Sequence, residues 1–351
     1  MSKFYKLKIN HIEKETESCV SVGFEVPSEL QVIFSFKAGQ YITLKKDFND
    51  EEVRRDYSLC VTPQSGELKV AVKEVENGMF SQFANRELKI GDVLDVAPPS
   101  GRFIFEPNET RSRTIAAFAA GSGITPIMGI AKTVLEQEPN SNFTLVYGNK
   151  SPQQTIFYNE LLKVQKAYSD RFEVQFVFSQ SQENNALFGR IDKSAVNFVL
   201  KNKLNTKKVN AFYLCGPEDM IHTVSDVLKE KDVHENIIFY ELFTTTSSKP
   251  NIDSTLVDGK TKITVLVDDE ETTFDMSQKQ TILEAALDHK VDAPYSCQGG
   301  ICSSCLARIT EGKATMRQNN ILTDGEVAEG LILTCQAQPT TATIFVDYDD
   351  V

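Results

Sequence analysis

Through the first third of the chain, apolar and polar residues alternate with a period of two in short runs: Lys6–Ile9, Tyr41–Leu44, Tyr57–Val61, Leu68–Val72 and Val93–Val96. Side chains on a strand point alternately to its two faces. Runs of this length, punctuated by Gly, Pro and Asn, therefore predict an antiparallel β-barrel over residues 1–107. One helix is predicted inside it, around Phe80–Leu88. From 108 to 245 the texture changes. Five apolar segments (Thr114–Ala119, Phe143–Tyr147, Phe172–Phe178, Ala211–Leu214 and Ile237–Tyr240) alternate with helical patterns at Ile127–Gln137, Phe157–Ala167, Lys193–Asn202 and Met220–Lys231. Such alternation implies right-handed βαβ crossovers and an α/β domain with a parallel sheet, a fold that binds nucleotides at the carboxyl ends of its strands. Residues 246–261, in the polar stretch that begins Thr244-Thr245-Thr246-Ser247-Ser248, read as a linker. Over 262–351, Lys262–Val267 and Thr272–Phe274 predict a hairpin, Ile282–His289 a helix and Thr343–Tyr348 a final strand.

Composition narrows the class. A chain of 351 residues exceeds what one core organises, in keeping with separate domains. No apolar run approaches the ~20 residues that cross a bilayer. The first ten residues carry Lys3, Lys6 and Lys8 without an apolar stretch behind them, so a cytoplasmic location and no membrane partner are expected. The net charge of −12 argues against nucleic acid as a partner. That charge is uneven. Residues 262–351 hold six basic and fifteen acidic residues, a net of −9, leaving −3 for the rest. An acidic terminal domain suits docking to a basic surface, and it equally serves solubility alone.

Seven cysteines, an odd number, in a long chain disfavour a disulfide framework and favour metal or catalytic roles. Cys297-x4-Cys302-x2-Cys305, with Cys335 further on, is the plant-type spacing for a [2Fe–2S] cluster. Gln298-Gly299-Gly300-Ile301 must wrap round such a cluster, and its glycines permit backbone angles that turn amides toward the sulfurs. Zinc is the competing metal, but structural zinc usually takes two separated ligand pairs, whereas here three cysteines share one loop. His289 falls on a predicted helix, where packing accounts for it. Cys19 and Cys60 read as small core residues.

Three further segments carry chemistry. Arg55-Asp56-Tyr57-Ser58 lies in a barrel-strand region, Gly78-Met79-Phe80-Ser81 opens the barrel's helix, and Pro99-Ser100-Gly101-Arg102-Phe103 makes a turn at its end. A helix start offers unpaired amides and a positive dipole end to a phosphate. In the α/β part, Gly121-Ser122-Gly123-Ile124-Thr125-Pro126 follows the first strand and opens a helix, where proline loses no hydrogen bond. Cys215-Gly216-Pro217 ends the fourth strand, and Glu241-Leu242-Phe243 ends the fifth.

In this order the segments resemble the ferredoxin–NADP reductase superfamily, and with the C-terminal cysteines they resemble the reductase components of bacterial oxygenases. Among those the chain is most similar to the phenylacetyl-CoA epoxidase type, on Tyr147-Gly148-Asn149, Phe178-Ser179-Gln180 and Gly189-Arg190-Ile191. The resemblance implies a flavin barrel, a nucleotide domain and a β-grasp-like ferredoxin domain. It implies FAD held by Arg55 on the pyrophosphate, Tyr57 on the isoalloxazine, Ser58 toward its N5, and Gly78 with Met79, Phe80 and Ser81 at the pyrophosphate. It implies a nicotinamide nucleotide bound by Gly121, Gly123, Thr125, Pro126, Gly216 and Pro217. Ser58, Cys215 and Glu241 are then the catalytic candidates, with Phe243 beside the flavin, and Cys297, Cys302, Cys305 and Cys335 the cluster ligands. Lys150 and Arg190 can serve a 2′-phosphate, so NADPH is implied while NADH stays open. The acceptor implied is a di-iron oxygenase acting on phenylacetyl-CoA. A stand-alone flavin or ferredoxin reductase (a diaphorase) shares every motif, whereas a cluster-based redox sensor would not need Ser58, Gly121–Pro126 and Cys215 together.

Overall fold

The computed structural model describes residues 3–49, 51–204, 208–243 and 259–351. The chain forms two compact units. Tyr5–Val53 with Tyr57–Phe243 makes one, and Arg54–Asp56 with the described parts of 1–4 and 244–351 makes the other.

The first sheet contains β1 (Tyr5–Thr16), β2 (Cys19–Glu25), β3 (Tyr41–Phe48), β4 (Glu51–Ser58), β5 (Leu68–Lys73) and β6 (Val93–Val96), in the order β4-β3-β6-β1-β2-β5. Its two ends meet through an antiparallel bridge between Leu59 and Val70, and a barrel results. Closure removes the edges that an open sheet would expose. Helix α1 (Met79–Arg86) follows β5 and buries Phe80, Ser81 and Ala84. Inward-facing Leu7, Ile9, Val22, Ile42, Leu44, Leu59 and Val70 fill the barrel with almost no exposure. One boundary is corrected: the predicted strand at Tyr57–Val61 is displaced, because β4 runs over the charged stretch Glu51–Ser58. Period-two apolar patterning is absent there, and the pairing is supplied by β3.

The second sheet is parallel, with β7 (Thr114–Ala120), β8 (Asn142–Asn149), β9 (Phe172–Phe178), β10 (Ala186–Phe188), β11 (Val209–Gly216) and β12 (Ile238–Leu242), in the order β10-β9-β8-β7-β11-β12. It has six strands where the sequence predicts five, the addition being the three-residue β10. Helices α2 (Ile124–Gln137), α3 (Tyr158–Ala167), α4 (Lys193–Asn202) and α5 (Glu218–Lys229) cover it. The chain runs outward from β7 through β8 to β10, then returns to place β11 on the other flank of β7. The carboxyl ends of β7 and β11 thus flank the topological switch point, the place where open α/β sheets bind ligands.

The other unit is built on β13 (Lys260–Val267), β14 (Glu270–Ser277), β15 (Leu306–Glu311), β17 (Leu331–Leu333) and β19 (Thr343–Asp347), ordered β14-β13-β19-β15-β17, with a separate pair β16 (Ala314–Met316) and β18 (Ala337–Pro339). Helix α6 (Ile282–Asp288) carries a capping box between Thr281 and Glu284, and α7 (Asp324–Ala328) a second between Thr323 and Glu326. Each box satisfies two first-turn amides. Ile263, Val265, Ile282, Ala285, Ala286, Leu333, Ile344 and Val346 form its core. The expected linker at 246–261 lies outside the described residues except for its last three, of which Lys260 and Thr261 already belong to β13.

Candidate functional site

The barrel end of the site starts at β4. Arg55 is exposed there and donates from Nη1 to the Arg54 carbonyl at 2.7 Å. Tyr57, two residues on, packs its ring 5.6 Å from that of Phe80. Gly78 is the N-cap of α1, and a Cβ there would meet Ser81 Oγ and Val75 Cγ2 at 2.5 Å each. The Ser81 hydroxyl donates to the Gly78 carbonyl (3.1 Å) and accepts from the Val75 amide (3.2 Å). It is therefore a clasp inside the turn. What the turn can offer a phosphate is the first-turn backbone amides of α1, which have no intrahelical acceptor. Gly101, with φ +113°, closes the Pro99–Phe103 turn against the Tyr41 ring, where a Cβ would come within 2.9 Å.

Three residues far apart in sequence converge at the switch point. Glu241 on β12 pairs in register with Cys215 on β11, and Cys215 pairs with Ala119 on β7. Ser58, at the end of β4 and only 3% exposed, donates its hydroxyl to Glu241 Oε2 at 3.3 Å. Cys215 is fully buried. Burial pushes its thiol well above the ordinary range, and the Glu241 carboxylate pushes it the same way. The group is a neutral thiol, small and polarizable, suited to lying against an aromatic ring rather than to attacking one. Phe243, just past β12, packs on the same core.

The nucleotide turn is held by close backbone approach. Gly121 sits at φ +56°, a left-handed conformation that glycine adopts without strain. Gly123 lies against the β11 turn, and a Cβ on it would stand 2.1 Å from the Cys215 carbonyl oxygen and 2.8 Å from Gly216 N. Thr125 donates to the Ser122 carbonyl at 3.0 Å, so its hydroxyl shapes the turn. Pro126 falls in the first turn of α2, which starts at Ile124, three residues earlier than the predicted Ile127. Pro217 is the N-cap of α5, and a Cβ on Gly216 would meet Met220 Cε at 2.9 Å. Tyr147, fully buried on β8, donates its hydroxyl to the Gly121 carbonyl at 2.9 Å.

One cation was not singled out in the sequence. Lys73, the last residue of β5, brings Nζ to 3.6 Å from where a Gly121 Cβ would stand. Burial lowers its pKa, and Lys150 lowers it further. A half-buried ammonium beside a glycine turn is a place for a phosphate. A strand-ending lysine is too common in sequence to have been noticed. Lys150 follows β8, and its carbonyl accepts from Gln180 N at 2.9 Å; Arg190 is exposed beyond β10.

In the other unit the four expected ligands stand as two pairs. Cys302 Sγ lies 3.0 Å from Cys297 Sγ, and the Cys305 and Cys335 thiols hydrogen-bond each other. Thiol donation from Cys302 lowers the pKa of Cys297, and the same contact with burial raises that of Cys302. The Cys305 carbonyl accepts from both the amide (3.1 Å) and the hydroxyl (3.0 Å) of Thr334, which fastens the loop to the fourth cysteine. Gly299 N points at Cys297 Sγ from 3.3 Å, as the loop reading requires. The hydroxyl of Ser296, the residue before Cys297, is 3% exposed and buried without a partner. Among the described residues no three His, Cys, Asp or Glu groups converge as a single ion would need. Two thiol pairs fit a two-iron cluster, which divides four ligands between its irons. His289 is occupied elsewhere, its ring stacked on Phe274 at 4.2 Å and its Nδ1 2.9 Å from the Ala285 carbonyl. None of the seven cysteines forms a disulfide, and Cys19 and Cys60 are core residues as expected.

Comparison with known proteins agrees with this division. Models of an oxidoreductase FAD-binding domain, an oxidoreductase NAD-binding domain and a 2Fe-2S iron-sulfur cluster binding domain match residues 6–105, 118–226 and 265–340. The chain is 35% identical over 351 residues to one of the subunits of the 1,2-phenylacetyl-CoA epoxidase of Escherichia coli, covering 99% of each chain. It is 29% identical to the ferredoxin reductase component of 3-ketosteroid-9-alpha-monooxygenase of Rhodococcus rhodochrous, over 97% of this chain and 96% of that one. The solved structure of phthalate dioxygenase reductase superposes with a TM-score of 0.61 at 26% identity, covering 98% of both chains. With its FAD, nicotinamide and [2Fe–2S] domains in one order and its likeness to that epoxidase component running end to end, the chain belongs to the ferredoxin–NADP reductase superfamily, in the family of NAD(P)H-dependent reductases that pass electrons to an oxygenase.

Proposed function

We propose that this reductase draws its electrons from NADPH and delivers them to a di-iron oxygenase acting on phenylacetyl-CoA. The observation that carries the reading is the end-to-end likeness to a component of the phenylacetyl-CoA epoxidase, unbroken by any missing domain. When bound, FAD accepts the hydride and the cluster exports electrons singly. This chain's own residues do the rest. Arg55 and the α1 amides hold the FAD pyrophosphate, and Tyr57 covers the isoalloxazine. The Gly121–Pro126 turn, with Lys73, seats the pyrophosphate of the nucleotide, while Lys150 and Arg190 meet a 2′-phosphate. Gly216 and Pro217 shape the turn after β11 so that the neutral Cys215 thiol lies against the nicotinamide. Ser58, fixed by Glu241, orients the flavin edge, and Phe243 excludes water beside it. Cys297 and Cys302, and Cys305 and Cys335, hold the cluster. A chain whose seven cysteines form no disulfide suits work in the cytoplasm.

The test is reconstitution. Purified reductase, NADPH and the purified oxygenase should epoxidise phenylacetyl-CoA, with NADH the weaker donor. Rapid dye reduction without any epoxidation would leave the chain a reductase for another acceptor. A preference for NADH would remove the role given to Lys150 and Arg190.

A further inference from the structure

We propose that Gln336 sets the reduction potential of the cluster, by donating one amide hydrogen to the ligand Cys335 and the other to the loop that carries Cys297 and Cys302. The inference rests on the reading of Cys335 as a ligand and goes beyond it to a residue that binds no metal.

The geometry begins with the Gln336 backbone, which is locked on both sides. Its amide donates to the Leu333 carbonyl at 2.8 Å, and its carbonyl accepts from Arg317 N at 2.9 Å. The side chain therefore leaves the backbone in a fixed direction. It is 8% exposed, and Nε2 lies 3.0 Å from the Gln298 carbonyl and 3.7 Å from Cys335 Sγ. A primary amide has two N–H donors, and these are two acceptors. The loop is shaped to receive it. Gln298 holds φ +51° and Gly300 φ +70°, both left-handed. A Cβ on Gly300 would press on Gln336 Cγ at 2.9 Å, so the glycine makes room for the glutamine stem. One side chain thus spans from the isolated fourth cysteine to the three-cysteine loop.

The consequence is electrostatic. Reducing the cluster adds one negative charge, shared with its ligand sulfurs. A buried donor to a thiolate sulfur stabilises that charge and raises the potential. The Gly300 amide and the Cys305 thiol also donate to Cys335, so among the described residues Gln336 is the one polar side chain from outside the ligand set that does so, the Thr334 hydroxyl being spent on the Cys305 carbonyl and itself a partner of Tyr348 Oη at 2.9 Å. Losing the Gln336 donor lowers the potential, and replacing it by a carboxylate lowers it more.

The experiment uses the full-length holoprotein, with Gln336→Met keeping the chain length but removing both donors and Gln336→Glu adding charge. The cluster potential is read by redox titration of the reduced-state EPR signal, with NAD(P)H reduction of the flavin as internal standard. Expected is a retained cluster whose reduction constant against a fixed mediator falls about tenfold in Gln336→Met, about 59 mV for one electron, and further in Gln336→Glu. A retained cluster at the wild-type potential in both variants would overturn the proposal. Loss of the cluster from both would also overturn it, leaving Gln336 a scaffold. Cys335→Ser, measured alongside, keeps the two readings apart: a normal cluster in that variant removes Cys335 from the ligand set, whatever Gln336 does.

Discussion

At the scale of single residues, the site turns on a few atoms whose neighbours come from distant sequence. Burial favours the neutral thiol of Cys215, so the role we propose for it is contact and alignment. Cys215→Ala should slow flavin reduction in stopped flow by roughly 10- to 100-fold, with nucleotide affinity within a few fold, the pattern of lost positioning at a reacting centre. An unchanged rate would return it to the core. Lys73 makes a different prediction. Burial already favours its neutral form, so nucleotide phosphates bind best below its lowered pKa and lose their partner as pH rises through it. KM for the nucleotide should therefore climb on the alkaline side in the wild type. In Lys73→Met it should be roughly tenfold higher at neutral pH, a loss of about 1.4 kcal/mol, and flat across the same range. Equal alkaline limbs in both proteins would dismiss Lys73. Ser58, Cys215 and Glu241 were each legible from a local motif. The resemblance implies that they meet at the flavin; what it does not give is the hydrogen bond between Ser58 and Glu241, 183 positions apart, which only the folded sheet supplies. The resemblance implies a phosphate contact for Ser81, but its hydroxyl is already engaged within its own turn.

At the scale of elements, close approach between α2 and the barrel decides what a glycine is for. Gly129 lies inside α2, and a Cβ on it would stand 2.9 Å from the Leu59 carbonyl oxygen and 3.1 Å from that of Val61. In an exposed helix, Gly→Ala stabilises by up to ~1 kcal/mol. Here the contact is with backbone, which cannot rotate away, and forcing extra volume into such a site typically costs about 1–3 kcal/mol. Packing should win. Gly129→Ala is expected to lower the midpoint of thermal unfolding and to loosen bound FAD, because Leu59 and Val61 lie within three residues of Ser58. A variant more stable than the wild type would show that α2 is free to retreat. The elements the sequence revealed were those with strong period: β6, β9 and α4 have the predicted bounds. Those it hid were short or charged. Strands β10, β16, β17 and β18 have three residues each, too few to show a period, and β4 opens on Glu51-Glu52.

At the scale of the whole molecule, charge is concentrated in one stretch of the chain. Residues 262–351 carry a net −9 of the chain's −12. Part of this is concentrated where the β13–β14 hairpin, with Asp268, Asp269, Glu270 and Glu271, meets the C-terminal segment. There Asp349 accepts from the amides of Asp268 and Asp269 at 2.9 Å each, so the acidic chains are held together on folded backbone. Held charge of one sign raises the rate at which a basic partner arrives, and it acts mainly on encounter rather than on the bound complex. Salt shortens its reach, the Debye length falling from ~10 Å at 0.1 M to ~3 Å at 1 M. Electron delivery to the oxygenase should therefore fall steeply over that range, while dye reduction taken directly from the flavin should hardly change. Cys302→Ser supplies the matching control: it should abolish cluster absorbance and delivery to the oxygenase while flavin reduction by NAD(P)H survives. The steering argument is lost if delivery and dye reduction respond to salt alike, because the acidity of this unit would then serve solubility and nothing more.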